Sequence, residues 1–210
     1  MGKAGQSEKR TCGAVVFPGF ELLDIFGPLE MFGVLPGHFD IVMLGEGDEL
    51  VASAQGPRTA IDRSFEAPGR IDILLLPGGI GTRNEVTNPA MLRFLSQIYP
   101  DLEYLASICT GSGILAAAGL LDGRRATSNK RAFEWARSNS AAVTWVPEAR
   151  WVEDGNVFTA AGVAAGIDMS LALIARLLGE DIATEAAQQT EYEWHREAAW
   201  DPFARLAGLV

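Results

Sequence analysis

The sequence predicts a three-layer α/β domain, with helices on both faces of a mostly parallel sheet. Three observations predict it. Short apolar runs alternate with helical patterns along the chain. One run, "IDILLLPGG", is continuously aliphatic, as in a strand covered on both faces. Three turns rich in glycine or proline, "FPGFELLD", "LPGGIGT" and "ICTGSG", each sit at a strand end. In open parallel sheets, ligands collect at the carboxyl ends of strands.

The elements follow in order. "CGAVVF" (12–17) reads as a buried strand. "ELLDIFGPLEMFGVL" spaces Leu22, Leu23, Phe26, Leu29 and Phe32 as one helical face. "FDIVML" (39–44) is strand-like and ends in the turn "GEGDE". After the strand "IDILLL", "NPAMLRFLSQIY" is a helix with proline near its start, where a helix tolerates it. "EYLASIC" is a strand, "TGSGILAAAGLL" a helix, and "DGRRATS" a turn with a short strand. "KRAFEWARSN" is helical and "AVTWV" a strand. "RWVEDGNVFTA" is a hairpin around Asp154-Gly155. "AGIDMSLALIARLLG" is an amphipathic helix that ends at Gly179, with Asp168 expected to cap it. "DIATEAAQQTEYEWH" begins a last helix with Asp181 as its expected N-cap.

With 210 residues, 48% of them hydrophobic, the chain can bury a substantial core. We read one domain over 11–192, a flexible leader over 1–10 and a tail over 193–210. The tail holds Tyr192, Trp194, Trp200 and Phe203 at or beside it, so it is expected to pack on the domain or on a partner subunit. The net charge of −10 repels phosphate backbones, which argues against nucleic acid as a partner. The two cysteines, Cys12 and Cys109, form neither a disulfide framework nor a zinc cluster. The start is polar without an apolar run behind it, and no apolar stretch reaches membrane-spanning length. The expectation is a cytoplasmic protein without metal, cofactor or membrane contact. "PGGIGT" is not a dinucleotide fingerprint.

Cys109 stands at the join of a strand and a helix. Gly111 and Gly113 supply the small neighbours that a sharp turn requires, and the arrangement has the logic of a nucleophile elbow with cysteine for serine. A helix N-terminus favours thiolate over thiol. The bland reading is a buried, inert cysteine.

"LLLPGGIGT", "ASICTGSGILAAAGLLDGRRATSN" and "TAAGVAAGIDMSLALIA" together resemble the ThiJ/PfpI superfamily, class I glutamine amidotransferase-like, over about Cys12 to Tyr192. The resemblance implies a flavodoxin-like sandwich, a homodimer and a nucleophilic Cys109. Protease-like members carry histidine directly after the cysteine, where this chain has Thr110. Glyoxalase- and deglycase-like members commonly carry a histidine after the next strand, where this chain has Ser128 and Asn129; its histidines are His38 and His195. The isocyanide-hydrating branch looks closest: Leu23-Asp24, Gly27-Pro28, Pro77-Gly78-Gly79, Cys109-Thr110-Gly111-Ser112 and "GVAAGID", with Val163 for the usual isoleucine.

That resemblance implies a small-molecule substrate, an isocyanide, hydrated to an N-substituted formamide. Cys109 would attack the isocyanide carbon to form a thioimidate, and Asp24 would act as general acid and base. Thr110 would offer an N–H and a hydroxyl beside the nucleophile. The turn at Gly78, Gly79 and Ile80 would offer backbone N–H groups to the substrate or intermediate. Val163 and Gly111 would support the site by packing. Two rival readings stay open: a glyoxalase- or deglycase-like stress enzyme, and a cysteine redox sensor or ligand-binding regulator domain. The stretch beyond Gly179 is too short for a helix-turn-helix region, so a complete regulator is not expected.

Overall fold

A computed structural model describes residues 9–47 and 49–210. Residues 1–8, most of the expected leader, lie outside the described residues. The chain runs through β1 (Arg10–Val15), α1 (Leu22–Gly33), β2 (Phe39–Gly45), β3 (Val51–Ala52), β4 (Arg58–Thr59), β5 (Arg63–Ser64), β6 (Ile73–Leu76), α2 (Thr82–Glu85) and α3 (Pro89–Ile98). It continues through β7 (Tyr104–Ile108), α4 (Gly111–Ala117), β8 (Arg125–Ala126), α5 (Phe133–Arg137), β9 (Thr144–Trp145), β10 (Trp151–Asp154) and β11 (Val157–Ala160). It ends with α6 (Ala165–Leu178), α7 (Glu180–Gln189) and α8 (Pro202–Leu206).

The middle layer is a 7-stranded sheet in the order β10-β11-β7-β6-β1-β2-β5, parallel except for the edge strand β10. Helices α1, α6 and α7 pack on one another in one outer layer, and α2, α3, α4 and α5 in the other. The predicted mostly parallel α/β sandwich is therefore the observed one. The strand "ILLL" of β6 is buried at every position, as a centrally placed strand covered on both faces must be.

Several element details differ from the sequence reading. β1 begins and ends two residues earlier than the apolar run: Arg10 and Thr11 pair with Phe39 and Asp40, whereas Val16 and Phe17 are buried in the loop beyond the strand. Apolar content follows burial and not the hydrogen-bond register. On α1 the inward face is Asp24, Ile25, Pro28, Leu29 and Phe32, whereas Leu23 (44% exposed) and Phe26 (42%) face outward. A carboxylate on the inner face shifted the apparent stripe. Three two-residue strands lie between 51 and 64, too short to show any alternation.

Helix α7 starts at Glu180, directly after α6, so Gly179 (φ 98°) and not Asp181 is its N-cap. The hairpin forms as read: β10 and β11 pair antiparallel, and Gly155 takes φ 64° in the turn. The tail is tied back by Arg150 N–H donating to Ala198 O (2.8 Å). Asp201 caps α8 by accepting from Phe203 N–H (3.0 Å).

Candidate active site

Strand β1 lies between β2 and β6, and the chain leaves β1 in one direction and returns to the other side. This reversal of winding places the carboxyl ends of β1, β6 and β7 side by side. The segments that leave them carry Asp24, in the first turn of α1, Gly78-Gly79 and Cys109.

Cys109 is one of two non-glycine residues with positive φ (56°) among the described residues. Such backbone costs on the order of 1–3 kcal/mol and persists only where its surroundings fix it. Here they do. Cys109 N–H donates to Ala160 O (3.1 Å), and its carbonyl accepts from Ser112 Oγ (3.2 Å) and Ser128 Oγ (3.0 Å). Helix α4 starts two residues later. The PGG turn presses against this elbow: a Cβ on Gly78 would stand 2.5 Å from Thr110 N and 2.8 Å from Cys109 Cβ. A Cβ on Gly111 would stand 2.5 Å from Leu76 O. Both positions need glycine for close backbone approach.

Asp24 is fully buried on the inner face of α1. Its Oδ2 accepts from Gly78 N–H at 2.7 Å. Its Oδ1 has no hydrogen-bond partner of ordinary length, and the Cys109 thiol lies within electrostatic reach of the carboxyl. Burial pushes the Asp24 carboxyl up to about 8, against the Gly78 N–H, which favours the carboxylate; the Glu21 charge adds to the rise. Burial also pushes the Cys109 thiol up to about 12, and the Asp24 charge adds to it. Contacts from Thr110 N–H, the Thr110 hydroxyl and Val163 N–H oppose that rise.

The expectation that the helix N-terminus yields a thiolate is therefore corrected. With Cys109 only 6% exposed, desolvation outweighs the Thr110 and Val163 contacts that favour thiolate. At neutral pH the resting pair is carboxylic acid beside thiol, and its protons belong to the pair.

The structure brings Asp24, Gly78, Gly79, Cys109, Thr110, Gly111 and Val163 together. It also corrects the roles of two N–H groups expected to face substrate. Gly78 N–H is taken by Asp24, and Gly79 N–H donates to Thr110 Oγ1 (3.0 Å). Ile80 is 67% exposed, and its N–H meets no acceptor among the described residues. Val163 contributes an N–H to the sulfur in addition to packing.

Neither histidine joins the site. His38 precedes β2, at the amino end of the sheet, where its carbonyl accepts from Arg10 N–H. The exposed His195 lies near Asp168. Asp168 is corrected from a helix cap to a buried anchor. Its carboxylate accepts from Arg150 Nε (2.8 Å) and Nη2 (2.5 Å), Tyr192 OH (3.1 Å) and His195 N–H (2.9 Å). Its place one turn inside α6 puts it out of reach of the helix's first N–H groups.

Sequence reading missed Thr82 and Arg83. Thr82 Oγ1 donates to Gly79 O (2.7 Å) and lies 3.2 Å from Thr110 Oγ1. Arg83 Nη1 donates to Thr82 Oγ1 (2.9 Å), while the guanidinium sits over the Trp135 ring at 3.8 Å. No motif marks them; only the fold brings α2 against Thr110, the neighbour of Cys109.

Comparison with known proteins agrees with this fold. The chain is 34% identical over 182 residues to an isonitrile hydratase of Pseudomonas putida, covering 86% of this chain and 77% of that one. It is 32% identical over 180 residues to a helix-turn-helix transcriptional regulator of Pseudomonas aeruginosa, covering 83% of this chain but only 53% of the regulator. Among solved structures, a ThiJ/PfpI family protein from Pseudomonas syringae superposes with a TM-score of 0.82 at 33% identity, covering 91% of this chain and 78% of that chain. The family model of the DJ-1/PfpI family matches residues 13–176, and the chain belongs to that family.

Proposed function

We propose that the protein hydrates isocyanides to N-substituted formamides, with Cys109 as nucleophile and Asp24 as general acid and base. One observation carries the reading. Asp24 has one oxygen fixed by Gly78 N–H and the other buried without a partner, on a carboxyl that holds its proton at neutral pH and faces Cys109.

In the first half, Cys109 sulfur attacks the terminal carbon of R–N≡C while Asp24 delivers its proton to that carbon. The thiol proton passes to the Asp24 carboxylate, so the net change is addition of S–H at carbon, giving R–N=CH–S–Cys109. In the second half, Asp24 assists water in attacking the same carbon. The C–S bond breaks, sulfur recovers a proton, and R–NH–CHO leaves. Thr110 and the Val163 N–H stabilise sulfur as it carries charge, and Ile80 N–H is the remaining donor of the PGG turn for the intermediate.

The rival readings fit less well. A redox sensor needs a low-pKa, accessible thiol, whereas burial pushes Cys109 the other way. A glyoxalase-like dyad needs a histidine that neither His38 nor His195 supplies. We also infer a homodimer, supported by the outward Leu23 and Phe26 on neighbouring turns of α1. A cytoplasmic setting suits two unpaired cysteines.

The test is an ultraviolet assay of para-nitrophenyl isocyanide with wild type, Cys109→Ala and Asp24→Asn. Formamide production lost in both variants supports both roles. Loss in Cys109→Ala alone keeps the nucleophile and demotes Asp24. Absence of turnover by reduced wild type overturns the hydratase reading.

A further inference from the structure

A cavity of about 270 Å3 is lined by Val163 but not by Cys109, and the proposed hydration makes no use of it. Two of its walls are continuous with the nucleophile's own supports. On one side, Gly162 and Val163 line it, and the Val163 N–H faces Cys109 sulfur. On the other, Asn129 and Lys130 line it, directly after Ser128, whose hydroxyl holds the Cys109 carbonyl (3.0 Å). The two walls touch: a Cβ on Gly162 would stand 3.2 Å from Asn129 Nδ2. Cys109 itself does not line the cavity.

The walls say what would fill it. Lys130 is buried, yet Nζ reaches no carboxylate within ion-pair distance among the described residues. Nζ donates to Thr127 Oγ1 (2.9 Å) and Ala149 O (2.5 Å), which leaves one of its three N–H donors. Arg131 adds a second cation at the rim with no ion-pair partner among the described residues. The third cation, Arg150, is already neutralised by Asp168. Against these stands one carboxylate, Asp201, whose Oδ1 caps α8. The local balance is one net positive charge.

Apart from Asn129 and Gly162, the rest of the lining is apolar (Val163, Ala164 and Phe203), and Phe203 leaves more than half its surface exposed. At this volume the space is smaller than a drug-sized pocket, so a single ring or short chain fits. Burial lowers Lys130 to about 8, a cost that a bound anion would reverse.

We propose that this cavity is a second small-molecule site, for a small monocarboxylate with a short apolar group, and that its occupancy is felt at Cys109 through the Gly162–Val163 turn. The proposal goes beyond isocyanide hydration and stands without it.

Benzoate is the probe and benzamide its neutral counterpart, titrated calorimetrically into the full chain. The Cys109 alkylation rate by iodoacetamide is then followed by peptide mass spectrometry with and without saturating benzoate. The expected result is benzoate bound at least about tenfold more tightly than benzamide. Arg131→Gln should weaken it about fivefold, and the rim substitution Ala164→Phe, which fills the cavity at an exposed position, should abolish it. Saturating benzoate should change the alkylation rate at least about twofold in wild type and leave Ala164→Phe unchanged. Equal binding of benzamide, absence of benzoate binding, or undiminished binding by Ala164→Phe overturns the site. An unchanged alkylation rate with benzoate bound overturns the coupling to Cys109. None of these readouts uses hydration, so they fail separately from the hydratase assay.

Discussion

Asp24 and Cys109 are each costly where they stand, and the proposed reaction makes use of that cost. A carboxyl buried on the inner face of α1 keeps its proton to about pH 8, which turns a common acid into a donor usable at neutral pH. Asp24→Asn should lower hydration by about 10²–10⁴-fold, the range of a lost general acid or base, in the para-nitrophenyl isocyanide assay. The rate of the wild type should fall as pH rises through about 8 and the acid form is lost.

The same shift predicts a stability change with a definite sign. The folded pKa lies above the unfolded value, so the folded state binds more protons across the interval between them. Stability is full below about pH 4 for this group and is lost progressively as pH rises towards 8. Asp24→Asn should flatten that decline and raise Tm at pH 8 relative to wild type, read by thermal melts across pH.

Two turns and one helix start hold Cys109, through close backbone approaches and the Gly79 N–H to Thr110 Oγ1 bond. Gly78 lies so close to Thr110 and Cys109 that Gly78→Ala must push the elbow away. The expected cost is about 1–3 kcal/mol in urea unfolding, together with loss of activity, because the Gly78 N–H also sets Asp24.

The tail and α6 meet at Asp168. Its carboxylate gathers Arg150, Tyr192 and the His195 N–H, and its carbonyl accepts from Trp194 Nε1 (3.1 Å). Arg150→Met leaves a buried carboxylate without its cation. It should cost about 3–5 kcal/mol and expose residues 193–210 to limited proteolysis.

Across the whole molecule, charge and apolar surface divide the labour. The net charge of −10 keeps copies soluble, while Leu23 and Phe26 leave an apolar spot on the face of α1 opposite the one that buries Asp24. Light scattering after size exclusion should give twice the 22.5 kDa chain mass. The double substitution Leu23→Asp and Phe26→Asp should return it to the monomer without unfolding, since both side chains are outward. No helix among the described residues is long and apolar enough to cross a membrane.

The sequence alone carried the layered α/β class, the order of the long elements and the three turns that hold Asp24, Gly78-Gly79 and Cys109. These features are local: an aliphatic run, a Pro-Gly-Gly turn and a glycine-flanked cysteine state their conformation within a few residues. Two-residue strands such as Val51–Ala52 left no mark, because two residues are too few to show the alternation that marks a strand.

Only the tertiary structure decided which face of α1 is buried, that Asp168 anchors the tail, and that Gly78 and Gly79 N–H groups bind Asp24 and Thr110. It alone recruited Thr82 to the neighbourhood of Cys109 and added a Val163 N–H to the packing expected of that residue. The protonation of the pair was decided there too. A strand-to-helix join is legible in sequence, whereas desolvation depends on everything packed around the sulfur, and at Cys109 desolvation is the first cause of the raised thiol.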